Sequence, residues 1–214
     1  MRKEERFRLV LDYFLEHRPQ AETELVYTDP YELVVAVILS AQCTDKRVNI
    51  ITPAFFKRFP DVQSLAAADP SMVFDLIGSC SYPNNKTKNL IGMAKALTGN
   101  YNGILPSEID ELQKLPGVGR KTANVLASVI FNQPALAVDT HVFRVSARIG
   151  LTTNSKTPLQ TEQQLVRHIP ENLRSIAHHW LILHGRYVCI ARKPKCSECG
   201  LTALCKYFLT NKAT

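Results

Sequence analysis

Four cysteines, Cys189, Cys196, Cys199 and Cys205, follow one another with the spacing C-x6-C-x2-C-x5-C. Thiolates gathered this closely in an intracellular chain are metal or cluster ligands more often than disulfide partners. A zinc ribbon or finger offers two short-spaced ligand pairs, and only Cys196 and Cys199 make such a pair. The outer two stand farther off, as around a larger inorganic core, and four thiolates are the usual complement of a [4Fe–4S] cluster. The spacing therefore points to that cluster, with structural zinc as the alternative. Between the first two ligands runs a loop with three cations, Arg192, Lys193 and Lys195. Cys43 and Cys80 stand apart from this group and read as ordinary buried or half-buried thiols.

A different chemistry is offered by Lys121. From 112 to 127 the chain reads LQKLPGVGRKTANVLA. Leu112 and Leu115 end one helix, Pro116-Gly117-Val118-Gly119 turns, and Arg120 starts another. Two glycines two apart allow positive φ and expose successive N–H groups beside a helix N-terminus. Such a turn can hold a phosphate through its amides without reading sequence. Val118 would point inward and lock the two helices. A plain αα-hairpin is the bland reading of a bare GxG; with the leucines, the proline and Arg120-Lys121 the pattern is that of a helix–hairpin–helix DNA-binding element. Taking about 100° per residue, Val125, Leu126, Val129 and Ile130 share one arc, and Lys121, Asn124 and Ser128 the opposite one. Lys121 lies in the first turn, where the helix's positive end disfavours an ammonium. A neutral amine is what a Schiff-base nucleophile needs. The other reading is a solvated lysine contacting phosphate.

Asp139 is the third candidate, in PALAVDTHVFRVSARIG. Val142, Phe143, Val145, Ser146 and Ile149 form a helical face closing at Gly150, so Asp139 or Thr140 opens that helix. Local pattern favours a helix N-cap. The functional reading is a carboxylate held at a site edge by Leu136-Ala137-Val138, to stabilise a sugar cation or move protons. His141 reads as a helix-start histidine or a supporting donor.

The elements that must position these groups are helical throughout. Phe7, Val10, Leu11 and Phe14 make one apolar stripe. Thr28-Asp29-Pro30 caps YELVVAVILS, apolar on every side and so a central buried helix, with a strand as the minority reading. Asp69-Pro70 repeats the cap before SMVFDLIG, and Ser107 with Asp110 suggests a capping box. There is no alternating strand pattern, repeat period or phosphate-binding glycine loop, so the class is all-α. A net charge of +7 over 214 residues suggests a polyanionic partner such as nucleic acid. MRKEERFRLVLDYFLEHR lacks the apolar core of a signal peptide, and no segment is long enough to cross a membrane. The expectation is a cytoplasmic, nucleoid-associated protein with no membrane partner, acting as a monomer.

SAQCTD (40–45), LPGVGRKTANV (115–125), AVDTHVFRV (137–145), HHWLILHGRYVCIARKPKC (178–196) and the closing cysteines together resemble the endonuclease III family. These are helix–hairpin–helix DNA glycosylases with AP-lyase activity in base excision repair. The resemblance runs over nearly the whole chain. It implies two all-α domains beside a DNA-binding cleft: a six-helix barrel over 22–134, and a cluster domain made of 1–21 plus 135–214. It makes Lys121 the nucleophile and Asp139 its partner, with Cys189, Cys196, Cys199 and Cys205 holding the cluster. The partner is duplex DNA with damaged bases, oxidised pyrimidines above all, or abasic sites. DNA contacts fall to Gln42, Tyr82, Gly117, Val118, Gly119, Arg120, Arg192, Lys193 and Lys195. Gln42 matches a residue that fills the hole left by a flipped nucleotide.

One stretch departs from the family. Where the best-known members read Gly-Leu-Tyr-Asn before a lysine, this chain has Ser81-Tyr82-Pro83-Asn84. Tyr82 thus stands where a leucine wedges into the DNA stack, and an aromatic can also stack on bases. Cys43, where relatives often have alanine, reads as a packing change. Adenine-mismatch glycosylases of the same superfamily usually lack a lysine at the place of Lys121 and carry a further recognition domain. A non-catalytic DNA-binding module would leave Lys121 together with Asp139 unexplained.

Overall fold

The computed structural model describes residues 1–211, and among these every regular element is helical. The chain divides into two compact units, Glu24–Phe131 and a discontinuous one made of Met1–Thr23 with Asn132–Thr214.

Within Glu24–Phe131 run α2 (Pro30–Ser40), α3 (Asp45–Arg58), α4 (Val62–Ala66), α5 (Pro70–Ile77), α6 (Pro83–Asn100), α7 (Ile109–Leu112) and α8 (Arg120–Phe131). The Asp29 carboxylate accepts from Glu32 N, and Pro30 supplies a ready-made first turn. Leu33 through Leu39 are all buried, so α2 is the hub that α3, α6 and α8 pack around. Its β-branched run is therefore a helix, because burial on every side outweighs intrinsic propensity. Fully burying each such aliphatic side chain is worth about 1.5–3 kcal/mol. Asp69 caps α5 as its sequence suggests. The capping box at 107 does not form: α7 begins after Glu108, and the Ser107 hydroxyl turns to the Glu108 carboxylate at 3.5 Å. Glu108 takes the N-cap position, so Ser107 stands one residue too early to pair with Asp110 in that way.

The second unit contains α1 (Lys3–His17), α9 (Thr140–Ile149), α10 (Pro158–Val166), α11 (Glu171–Tyr187), a 3-10 turn at Cys196–Glu198 and α12 (Lys206–Asn211). Phe7, Val10 and Phe14 of α1 join Val142, Val145 and Ile149 of α9 and Trp180 of α11 in one core. Phe14 stacks on Trp180 with ring centroids 5.6 Å apart, and the Trp180 indole N–H donates to Arg18 O at 2.7 Å. A Cβ on Gly185 would meet His141 and Val145 at 2.9 Å, so the glycine lets α11 lie close against α9. Beyond Tyr187, Leu201 is the one fully buried hydrophobic side chain among the described residues.

Candidate active site and cluster loop

In the hairpin, Leu112, Leu115 and Val118 are all buried, so the inward valine clamps α7 to α8 as its position requires. The backbone turns at Gly117, where φ is +81° and a Cβ would fall 2.9 Å from that of Asn89. Gly119 behaves differently from the expectation. Its φ is not positive, and an added Cβ would meet nothing within 4 Å. One left-handed residue suffices to reverse the chain here, and the space over Gly119 is open to whatever approaches its backbone. Gly119 O accepts from Ala123 N at 2.9 Å and so opens α8. Arg120 and Lys121 are exposed in that first turn, whereas Asn124 and Ser128, on the same arc of the helix, are buried.

Five non-glycine residues among those described have positive φ, and three are asparagines, which tolerate that region. The other two are Gln42 at 54° and Tyr82 at 56°. Holding such residues left-handed costs of order 1–3 kcal/mol each, and such strain gathers at functional sites. Both are exposed, Tyr82 to 59%, so an amide and an aromatic ring stand out from the surface of their unit. Beneath these turns lies Lys86, a residue that sequence reasoning missed. It is 4% exposed, and its ammonium donates to Leu39 O at 2.7 Å. The bond ties α6, just after Tyr82, to the end of α2, just before Gln42. A charged residue amid the apolar spacing of α6 was the available signal.

Asp139 is half-buried, and its Oδ1 accepts from His141 N and Val142 N, both at 2.8 Å. The N-cap reading is therefore met in full. The lead-in is rigid as well: Leu136, Ala137 and Val138 are buried, and Ala137 O lies 2.7 Å from His178 Nδ1. Arg144 Nη2 stands 3.2 Å from His141 Nδ1; a guanidinium only donates, so the imidazole nitrogen accepts. Burial draws Arg144 below its ordinary value, while Cys189 and Asp139 act in the opposite direction.

None of the four C-terminal cysteines is in a disulfide, and all four line one cavity. Burial first, then one another's charge, push the Cys199 and Cys205 thiols up. Partly buried thiols whose negative charges oppose one another suit a cationic inorganic core, which would bind them as thiolates and release their protons to solvent. No group of three or more His, Cys, Asp or Glu among the described residues is arranged to hold a single metal ion. Four thiols around one cavity are the donor set a four-iron cluster would use. Arg148 supports it from α9, donating to Ile190 O at 2.8 Å, to Ala191 O at 2.7 Å and to Cys189 Sγ at 3.5 Å. Arg144 adds a bond to Cys189 O at 3.2 Å. Arg192, Lys193 and Lys195 are exposed, but Lys195 pairs with Glu198 at 3.7 Å, so one of the three cations is partly neutralised. His184 and His179 are held by burial at about 4 and stay neutral.

Residues 35–171 match the family model for HhH-GPD superfamily base excision DNA repair proteins, and 189–205 the iron-sulfur binding domain of endonuclease III. Endonuclease III of Bacillus subtilis is 47% identical over 188 residues, 88% of this chain and 86% of that protein. The chain belongs to the endonuclease III family. A solved non-covalent endonuclease III–DNA complex superposes with a TM-score of 0.94 at 41% identity, covering 100% of both chains. A trapped endonuclease III–DNA covalent intermediate, an estranged-adenine complex, gives 0.94 at 42% identity, covering 99% and 100%. The all-helical hairpin fold is thus that of endonuclease III, and the cofactor is a [4Fe–4S] cluster.

Proposed function

We propose that Lys121 and Asp139 carry the chemistry of this DNA glycosylase and abasic-site lyase of base excision repair. The substrate is duplex DNA bearing an oxidised pyrimidine. A base inside the stack is out of reach, so it is flipped out, at a cost of a few kcal/mol that is lower for damaged pairs. The Lys121 amine attacks the sugar C1′ and the base departs, leaving a covalent imine. The imine acidifies the neighbouring C–H, and β-elimination cuts the strand on the 3′ side. Asp139 offsets the positive charge that grows at the sugar. Gly117, Gly119 and Arg120 anchor a phosphate. Val118, buried and with its N–H donating to Leu115 O at 3.0 Å, is turned inward and holds the turn from behind rather than touching DNA. Gln42 and Tyr82 occupy the space left in the stack. Cys189, Cys196, Cys199 and Cys205 hold the cluster, which supplies a rigid node for the basic loop of Arg192, Lys193 and Lys195. The protein works as a monomer in the cytoplasm, at the nucleoid.

The observation that carries this reading is the placement of Lys121. It is exposed in the first turn of α8, two residues past the open backbone of Gly119. A phosphate on that turn brings the adjoining sugar to the amine. Borohydride trapping tests it. Lys121→Gln should give no trapped complex on damaged or preformed abasic DNA while DNA affinity survives; trapping that persisted would move the nucleophile elsewhere. Asp139→Asn retains an oxygen for His141 N and Val142 N, so the cap stays while the charge goes. It should cripple base excision and spare more activity on abasic DNA, and equal loss on both would assign it proton transfer too.

A further inference from the structure

Cys43 and Cys80, which the sequence leaves far apart, come together in the Glu24–Phe131 unit with their sulfurs 3.6 Å from each other. Neither is in a disulfide. Each sits on a stiff turn closing a helix end: Cys43 N donates to Ser40 O at 3.1 Å, and Cys80 N to Ile77 O at 2.8 Å. The turns are those of the two left-handed residues, since Cys43 follows Gln42 and Cys80 precedes Tyr82 by two positions. Lys86 pins the same two segments from below. The sulfurs differ in access. Cys80 is 3% exposed, whereas Cys43 is half-buried, so a small oxidant reaches Cys43 first. Burial, then the hydrogen bond to Cys43, pushes the Cys80 thiol up to about 11.

We propose that Cys43 and Cys80 form a peroxide-oxidisable dithiol whose disulfide ties the Gln42 turn to the Tyr82 turn and hinders their engagement with DNA. The hindrance rests on the roles given above to Gln42 and Tyr82; the disulfide does not. The oxidant is hydrogen peroxide or an organic hydroperoxide. The Cys43 thiolate, its proton given to water, attacks one peroxide oxygen. An S–O bond forms, the O–O bond breaks, and the departing oxygen takes up a proton to leave as water or an alcohol. The Cys80 sulfur then attacks the Cys43 sulfenic acid. The S–S bond forms, the S–O bond breaks, and the hydroxide removes the Cys80 proton and leaves as water. Two thiols are oxidised by two electrons and one peroxide is reduced. The sulfurs must close from 3.6 Å to about 2.05 Å, which draws both turns together. In a reducing cytoplasm the pair rests as the dithiol and reverts by thiol exchange.

The test uses the holoprotein, reduced, desalted and treated with one equivalent of hydrogen peroxide under anaerobic conditions. Differential alkylation and peptide mapping should show one new cross-link, between the peptides of Cys43 and Cys80. Iron content and the visible spectrum should hold steady in the same sample, which exempts the four cluster thiols. Affinity for damaged duplex should fall several-fold and return with dithiothreitol. Cys80→Ala, or Cys43→Ser should the buried substitution fail to fold, should be indifferent to peroxide. Persistence of both free thiols overturns the proposal. A mapped cross-link with unchanged DNA affinity overturns the hindrance. An inactive reduced enzyme would instead defeat the proposed function, since the mapping reads chemistry without any turnover.

Discussion

In the Glu24–Phe131 unit the helices pack apolar side chains around α2, which lies at the centre. The other unit has a conventional core where α1, α9 and α11 meet, but from Val188 to Asn211 it buries only Leu201 among its hydrophobic side chains. That segment is held instead by guanidiniums on carbonyls, by Arg148 over the Tyr207 ring at 4.8 Å and by thiols lining a shared cavity. The first arrangement rests chiefly on apolar burial, whereas in the second a thiolate-bound inorganic core would stand in for the missing apolar one. On the function proposed above, their contributions divide likewise. The first unit offers a backbone turn and an amine; the second offers cations on a loop that stays in place only while its anchor does.

Loss of the cluster should separate the two units most sharply. Cys199→Ser should abolish the brown colour and the complement of about four irons per chain, and weaken DNA binding. Hydrogen exchange should quicken through 188–211 while α2, α6 and α8 keep their protection; equal loss in both units would erase the contrast. Within the first unit the two hairpin glycines should part. Gly117→Ala places a side chain at φ +81° against Asn89 and should cost about 1 kcal/mol or more, read as a lowered Tm. Gly119→Ala should leave Tm unchanged yet weaken binding to all sequences alike, because its Cβ enters the space a phosphate would use. A change of base preference with affinity intact would undo the phosphate-anchor reading.

Acid should give the smallest separation. His179 stays neutral down to about 4 in the folded protein, against an ordinary 6.5. The unfolded chain therefore binds the extra proton first as pH falls. That stabilisation is fully present above about 6.5 and is lost progressively towards 4. Asp61 and Asp69, the caps of α4 and α5, are held below 3.8 by hydrogen bonds to Ser64 and Ser71, so the hairpin unit keeps them charged through this window. Exchange at pH 7 and pH 5 should show the cluster unit loosening first. His179→Gln should lessen the dependence, with His184, shifted the same way, supplying the remainder; an unaltered slope would remove burial of His179 as a cause.

The hairpin was legible because its signals are local: the Gly117 turn, the inward Val118 and the leucines before it all lie within a few residues. The caps Asp29, Asp69 and Asp139 were legible for the same reason, and the cysteine spacing announced the cluster. What was hidden depends on distant parts of the chain. The meeting of Cys43 with Cys80 and the burial of Lys86 under two turns arise only when α2, α5 and α6 pack. That Gln42 and Tyr82 are left-handed and Gly119 is not follows from how those segments are held, which no propensity records. Ser107 failed as a cap because α7 starts one residue later, with Glu108 at the N-cap position.

The bond from Trp180 to Arg18 O and the packing of Phe14 on Trp180 join the beginning of the chain to a helix near its end. A ribosome releases α1 first, yet the partners of Phe7, Val10 and Phe14 lie beyond the entire Glu24–Phe131 segment. During synthesis α1 must wait as an amphipathic stretch with its apolar stripe uncovered, while the hairpin unit emerges and packs ahead of it. The hairpin turn is thus assembled in the nascent chain before the segment that carries Cys189, Cys196, Cys199 and Cys205 exists.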